Sequence, residues 1–255
     1  MARWPAGVVS EHNAPIEPST DRGRLAFVFA MPMEAKPFVK QLSLTKAPVG
    51  DRAGYVGTLG DRDVVAVVTG MGTVLARDGV QGLLDAVRVE RVVVVGITGA
   101  LEDETPIGTL VRPAVVVDGA TGSEHRPTPL GAERAVGVLW TSDSLTTDPA
   151  VLADLRSRGV VALDMETAAV AELCEQRGIP WSVVRVISDR ATDGNVDDEV
   201  FHLAHQDGTP DPRAVLRFVV RHPVRVVRLA RVARGALRAT RVVADAAIRA
   251  CAPGG

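Results

Sequence analysis

The sequence predicts an α/β fold, a three-layer sandwich around a mixed, largely parallel central sheet, with basic amphipathic helices appended at the C-terminus. Three observations carry this expectation. Apolar runs rich in β-branched residues alternate with segments of helical period from residue 25 to residue 189. The run at 91–95 contains four consecutive valines with no polar alternation, as in a strand covered on both faces. Residues 160–189 read as a strand, a helix and a second strand in one unit.

Residues 1–24 lack the apolar core of a secretory signal and read as a disordered arm. Residues 25–30 (LAFVFA) form a buried first strand. Met31-Pro32-Met33-Glu34 turns it into a helix carrying Phe38, Val39 and Leu42. Residues 55–57 and 63–69 read as a hairpin broken at Gly60-Asp61. Gly70-Met71-Gly72 opens a helix through Val74, Leu75, Val80, Leu83 and Leu84. Residues 91–95 make the central strand, and residues 96–100 (GITGA) a glycine-rich turn at its carboxyl end. One or two strands follow in 108–118, then a polar loop over 119–133, a short strand at 138–141 and a helix at 148–158.

In the last unit, residues 160–163 lead into Asp164-Met165-Glu166. A helix with Ala169, Val170, Leu173 and Cys174 on its apolar stripe stops at Gly178, and a second strand over 182–187 ends in Ser188-Asp189. The α/β domain is expected over 25–210, and 211–255 form a helical tail with a boundary at His222-Pro223.

Composition narrows the function. At 255 residues the chain can bury a sizeable core, and with only 4% aromatic residues that core is built mainly from Val, Ala and Leu. A net charge of −2 argues against a nucleic-acid-binding surface. No apolar run reaches the roughly 18 to 20 residues of a membrane span. Cys174 and Cys251 show no metal spacing and fit a reducing, cytoplasmic compartment.

Charge is unevenly spread. Between residues 213 and 249, ten arginines face the single acid Asp245. They recur every three or four residues from Arg213 to Arg241, and Val215, Leu216, Val219, Val226, Val227, Leu229 and Val232 supply the apolar side. The simpler reading is a terminal helix packed on the body with its arginines in solvent. The sharper one is a helix lying on anionic lipid at the inner membrane face.

The chemistry gathers at the last unit. Asp164, Glu166 and Asp189 stand at the ends of what should be neighbouring strands, where an open α/β sheet places its binding crevice. Singly, Asp164 and Glu166 would suit a helix dipole and Asp189 a cap. Together, with Arg185 inside the second strand, they indicate a site whose apolar walls can raise a carboxyl pKa towards neutrality. Other motifs are weaker. Gly70-Met71-Gly72 lacks the third glycine of a dinucleotide fingerprint, with Leu75 in its place. His202 and His205 have no flanking acid at a metal-ligand spacing. No metal and no cofactor are expected.

Five segments in one order, LAFVFAMPMEAKPF, VVTGMGTVLA, VVVGITGAL, ALDMETAAVAELC and VVRVISD, resemble the nucleoside phosphorylase superfamily. They are most similar to its hydrolytic branch, the 5′-methylthioadenosine/S-adenosylhomocysteine nucleosidases, over residues 25–191. The resemblance implies an N-ribosyl hydrolase acting on a purine ribonucleoside, and a homodimer. Asp189, preceded by Ser188, matches the acid that protonates the leaving base at N7. Glu34 matches the base that activates water, with Arg185 and Thr69 matching the groups that hold it. Glu166 and Met165 match the pair that grips the ribose, and Gly72 falls with them among the substrate-binding positions. Asp164 stands where the family usually has glutamate.

Two features depart from the pattern. The segment before the catalytic helix, residues 141–146, has no aromatic to cover the base, so Leu145, beside Thr146, takes that place. The turn at Gly96 carries no arginine for phosphate, which favours water over phosphorolysis. A nucleoside phosphorylase, and a nucleosidase removing the adenine of a lipid-linked adenosyl group, are the alternative enzymes. A non-catalytic nucleoside-binding module is the alternative from another class.

Overall fold

In the computed structural model, which describes residues 23–191, 203, 205, 209 and 211–252, side-chain alternation along the strands decides the layers. The arm up to residue 22 and His202 lie outside the described residues. In β1 (Arg24–Phe29), Leu25, Phe27 and Phe29 pack on one face of the sheet and Ala26 and Val28 on the other. Every residue of this strand is buried, as its unbroken apolar run requires.

On the first face lie α1 (Pro32–Gln41) and the C-terminal part of α6 (Pro223–Cys251). Phe38 of α1 meets Phe27 and Phe29 with ring centroids 4.3 and 5.4 Å away. Ala239, Val243, Ala244, Ala247 and Cys251 of α6 complete that layer, so this half of the arginine-rich segment covers the sheet. Small residues at these positions let the helix approach closely. On the second face lie α2 (Thr73–Ala86), through Ala76, Val80 and Leu83, and α4 (Thr167–Gln176), through Val170, Leu173 and Cys174. Between these helices in sequence, α3 (Pro149–Ser157) covers a smaller cluster of Leu101, Leu152, Leu155 and Val160. A further helix, α5 (Pro212–Arg221), precedes α6, with the break at His222.

The sheet is mixed. Strand β1 pairs in parallel with β4 (Arg62–Val68) and β5 (Val89–Ala100), and β5 pairs in parallel with β11 (Trp181–Arg190). Antiparallel neighbours extend it: β3 (Arg52–Leu59) joins β4 across the turn at Gly60-Asp61, and β2 (Thr45–Val49) joins β3. On the other side, β10 (Val160–Asp164) follows β5, then β9 (Val138–Thr141), β7 (Val115–Asp118) and β8 (Glu124–His125). Strand β6 (Leu110–Val111) pairs with β11.

Three local expectations change. Strand β2, with Pro48 inside it, has no alternating apolar signal and is an edge strand. The polar loop at 119–133 contributes the two-residue β8. Residues 96–100 do not turn but continue β5, pairing with β11 from Gly96↔Arg185 to Ala100↔Arg190. The glycines there serve close approach: a Cβ on Gly96 would stand 2.5 Å from Glu34 Oε1. In consequence β10 and β11 are not neighbours. Gly99 of β5 lies between them, paired with Leu163 on one side and Asp189 on the other.

The contact of α2 with the end of β4 is equally tight. A Cβ on Gly79 would lie 2.5 Å from Thr69 Cγ2 and 3.2 Å from Thr69 Cα. Gly79→Ala adds helix propensity of about 1 kcal/mol, but the forced shift costs about 1–3 kcal/mol. The expected result is a Tm lowered by about 2–4 °C, read by thermal unfolding; a higher Tm would show that the layer can yield.

Candidate active site

The carboxyl ends of β5, β10 and β11 open into a cleft of about 370 Å³, closed on its other sides by the start of α1, Met71, residues 142–147 and Ala236 of α6. Its floor is an ionic cluster built around Arg185. That guanidinium is 1% exposed, at the middle of β11, with both sheet faces covered. Its Nη2 donates to Glu166 Oε2 at 3.2 Å, to Thr167 Oγ1 at 3.0 Å and to Asp164 Oδ2, and its Nη1 donates to the Ile97 carbonyl at 3.3 Å.

Asp164, the last residue of β10, is fully committed. Its Oδ1 accepts from Thr141 Oγ1 at 2.6 Å, and its Oδ2 accepts from Thr167 N at 3.2 Å as well as from Arg185. It therefore caps α4, in addition to neutralising Arg185. Glu166 turns its other oxygen, Oε1, to the Gly72 amide at 3.1 Å. Burial pushes the Glu166 carboxyl up to about 7, against the pull of Arg185 and with added repulsion from Asp164 and Glu34. Arg185 is held above its usual value: burial works against its charge, and Asp164, Glu166 and Glu34 outweigh it.

Glu34 is 1% exposed and lies on the first turn of α1. Its Oε2 accepts the amides of Ala30 and Met31 at 3.0 and 2.8 Å, and its Oε1 accepts the Ile97 amide at 2.8 Å. Burial raises its pKa, opposed by Arg185 and by these amides. So backbone, rather than side chains, holds Glu34. Thr69, expected to hold it, instead donates to the carbonyls of Gly70 and Phe29. The reason is position: Thr69 directly follows β4, wedged against Gly79.

Asp189 lies near the end of β11, half-buried, with Ser188 Oγ donating to its Oδ1 at 2.5 Å. Glu34, Asp164, Met165, Glu166, Ser188, Asp189, Leu145 and Thr146 all line the same cleft. Arg185 lies behind its carboxylates, and Gly72 reaches the site through its amide on Glu166.

Several lining residues escaped the sequence reading. Ile97, Thr98 and Gly99 enter because β5 continues where a turn was expected. Met31, Met33 and Met71 join Met165, so four of the five methionines of the chain line one cleft. That clustering was visible as rarity, and soft thioethers fill irregular apolar walls well. Ala236 had no local signal. Cys174 and Cys251 take no part: both are buried, and burial raises their thiols to about 12 and about 11.

A sequence profile of the Phosphorylase superfamily matches residues 24–131 and 124–221. The 5′-methylthioadenosine/S-adenosylhomocysteine nucleosidase of Shewanella oneidensis is 25% identical over 210 residues, covering 70% of this chain and 89% of that protein. A Helicobacter pylori nucleosidase mutant with 5′-methylthioadenosine in its active site superposes with a TM-score of 0.65, at 16% identity over 88% of this chain and 96% of the other. For the Campylobacter jejuni nucleosidase the TM-score is 0.66, at 16% identity over 90% and 99% of the two chains.

The buried acids imply a pH signature. Glu166 in the folded protein titrates near 7, above its ordinary 4.5, so its protonated form favours folding. That contribution is complete below about pH 4.5 and is lost as pH rises through about 7. Glu166→Gln removes it and keeps one acceptor oxygen, enough for the Gly72 amide or for Arg185 but not for both. Denaturant unfolding from pH 5 to pH 8 should show a flatter stability profile for the variant than for the parent, with a residual slope from Glu34. Parallel profiles would contradict the burial argument.

Proposed function

Because the chain belongs to the phosphorylase superfamily, we propose that it is a nucleosidase. It hydrolyses the N-glycosidic bond of a purine ribonucleoside, 5′-substituted as in methylthioadenosine or S-adenosylhomocysteine, to free base and ribose. One observation carries the reading: Glu34 and Asp189 face a single cleft together with Glu166 and Met165. The names of the curated relatives support the same chemistry.

Cleavage passes through a ribosyl cation, so the departing base needs a proton and the sugar needs nearby negative charge. In this reading Asp189 supplies the proton to N7, and the hydroxyl of Ser188 on its Oδ1 helps to orient it. Glu34 takes a proton from the attacking water. Its raised pKa makes it a better base than an exposed glutamate, while three amides keep it oriented. Glu166 binds the ribose hydroxyls and Met165 packs on the sugar face. Asp164 positions Arg185 rather than touching the sugar, since both its oxygens are engaged. Leu145, beside Thr146, covers the base.

Water suits this site better than phosphate. Among the described residues, Glu34, Asp164, Glu166 and Asp189 line the cleft with a single lining arginine, Arg190, and Arg185 behind them is already paired with Asp164 and Glu166, so a phosphate dianion would meet the acids with its own charge. A phosphorylase would instead need phosphate for turnover. A binding module would hold nucleoside without releasing base.

The proposal extends to a homodimer, and to peripheral contact of α5 with anionic lipid at the inner membrane face. Arg213, Arg217 and Arg221 are exposed on that helix, and Leu216 is 65% exposed. A lipid-linked adenosyl group is the substrate this contact would favour. Among the described residues, no helix is long and apolar enough to cross a membrane.

Incubation with a nucleoside panel, with and without phosphate, should release base and free ribose at the same rate in both arms. Asp189→Asn should lower kcat by about 10²- to 10⁴-fold with stability retained; a phosphate requirement, or undiminished turnover, would sink the assignment. Replacing Arg213, Arg217 and Arg221 together by glutamine should abolish co-sedimentation with anionic vesicles while leaving hydrolysis of a water-soluble nucleoside intact. Equal sedimentation of both proteins would remove the lipid contact.

A further inference from the structure

Helix α2 starts without a cap of its own. Its N-cap is Gly72, at φ 94°, a backbone conformation open to glycine, and no side chain of the helix satisfies its first amides. Two acids from distant parts of the chain do so instead. Glu166 accepts from the Gly72 amide at 3.1 Å. Asp143 accepts from the next amide, Thr73 N, at 2.9 Å, and both its oxygens lie within 2.8 Å of Thr73 Oγ1, at 2.7 and 2.8 Å.

Asp143 belongs to residues 142–147, the segment between β9 and α3 that carries Leu145 and Thr146 into the cleft. This segment has few other attachments. The Ser142 amide donates to the Asp164 carbonyl at 2.9 Å, which fixes its first residue, and the Ser144 amide reaches Ser142 Oγ at 3.4 Å, within the loop itself. The base-facing wall is thus tied to α2 through Asp143 and Thr73. One residue away on the same helix terminus, the sugar-facing carboxylate Glu166 is tied through Gly72.

We propose that Asp143 is a positioning residue that sets the base subsite against the ribose subsite, using the exposed N-terminus of α2 as their common reference. Resting on the nucleosidase reading above, the proposal deepens it: Asp143 touches no substrate, and its contribution reaches the base through Leu145 and Thr146. An interaction holding the wall equally in ground and transition states changes KM and leaves kcat alone. Asparagine caps a helix as well as aspartate does, whereas alanine does not.

Asp143→Ala should raise KM about fivefold with kcat nearly unchanged, a factor set by the loss of one cap. Asp143→Asn should restore the parent KM. Thr73→Ala keeps the amide of residue 73 on Asp143 and removes only the hydroxyl contacts, so it should raise KM less than Asp143→Ala, and the double variant should be no worse than Asp143→Ala alone. Hydrogen exchange of the free protein gives a reading that needs no turnover: residues 142–147 should exchange faster in Asp143→Ala than in Asp143→Asn, with the middle of α2 unaltered. An unchanged KM and unchanged exchange, a fall in kcat at constant KM, or additive effects of the two sites would each overturn the proposal. If Asp143→Ala fails to fold, Thr73→Ala tests the hydroxyl part of the tie: KM should rise and residues 142–147 should exchange faster, both by less than the full loss, and no change in either would overturn the proposal. Should the parent protein cleave no nucleoside, the functional reading fails, while the exchange comparison still decides the latch.

Discussion

Everything at the cleft depends on one buried positive charge. Arg185, 1% exposed in the middle of a strand covered on both faces, is the group that allows Asp164, Glu166 and Glu34 to be buried together. An unpaired buried charge costs several kcal/mol, and removing one partner from a buried pair typically costs about 3–5 kcal/mol. The guanidinium is nevertheless incompletely paired: among the described residues its Nε has no hydrogen-bond partner. The cluster is therefore weak evidence for stability and better understood as a poised electrostatic device. With the charge in place, burial lifts the Glu34 and Glu166 carboxyls above their ordinary range, and repulsion from Asp164 and Glu34 adds to it at Glu166.

Keeping that cluster rigid is the task of β5. Its residues 96–100 run on past the point where the core strand could have ended, and they pair with β11 on one edge and β10 on the other. Ile97 alone supplies an amide to Glu34 and a carbonyl to Arg185. Gly96 leaves the room that both side chains occupy. Acids carried by two strands and by the starts of two helices thereby share one reference frame, and strand ends move less than loops.

The remaining walls come from farther away in sequence. Helix α6 contributes to the core through its small residues and to the cleft through Ala236, so the segment richest in arginine is also a structural layer. Four methionines line the cavity where rings would give a flat platform. An unbranched thioether adapts to the shape it meets.

Much of this was readable from local pattern. The buried strands, the helix starting at Thr73, the α4 unit ending at Gly178 and the break at His222 follow from period, caps and glycine or proline placement, which act over a few residues. The acids at 164, 166 and 189 were legible because charge at the end of an apolar strand is costly unless it has a use, whereas Glu34 was legible only through the family resemblance. The arrangement of partners was not. Gly96 read as a turn because its need for space comes from Arg185 and Glu34, which lie far from it along the chain. Thr69 could not be told from a site residue without knowing that α2 presses on it, and Ala236 carries no signal at all. Sequence alone determined where the apolar strands and helix faces run and which residues carry charge, since transfer from water is a property of each side chain. Which carboxylate meets which amide was decided only by the tertiary structure, because hydrogen bonds of 3 Å between distant residues depend on the register of whole strands.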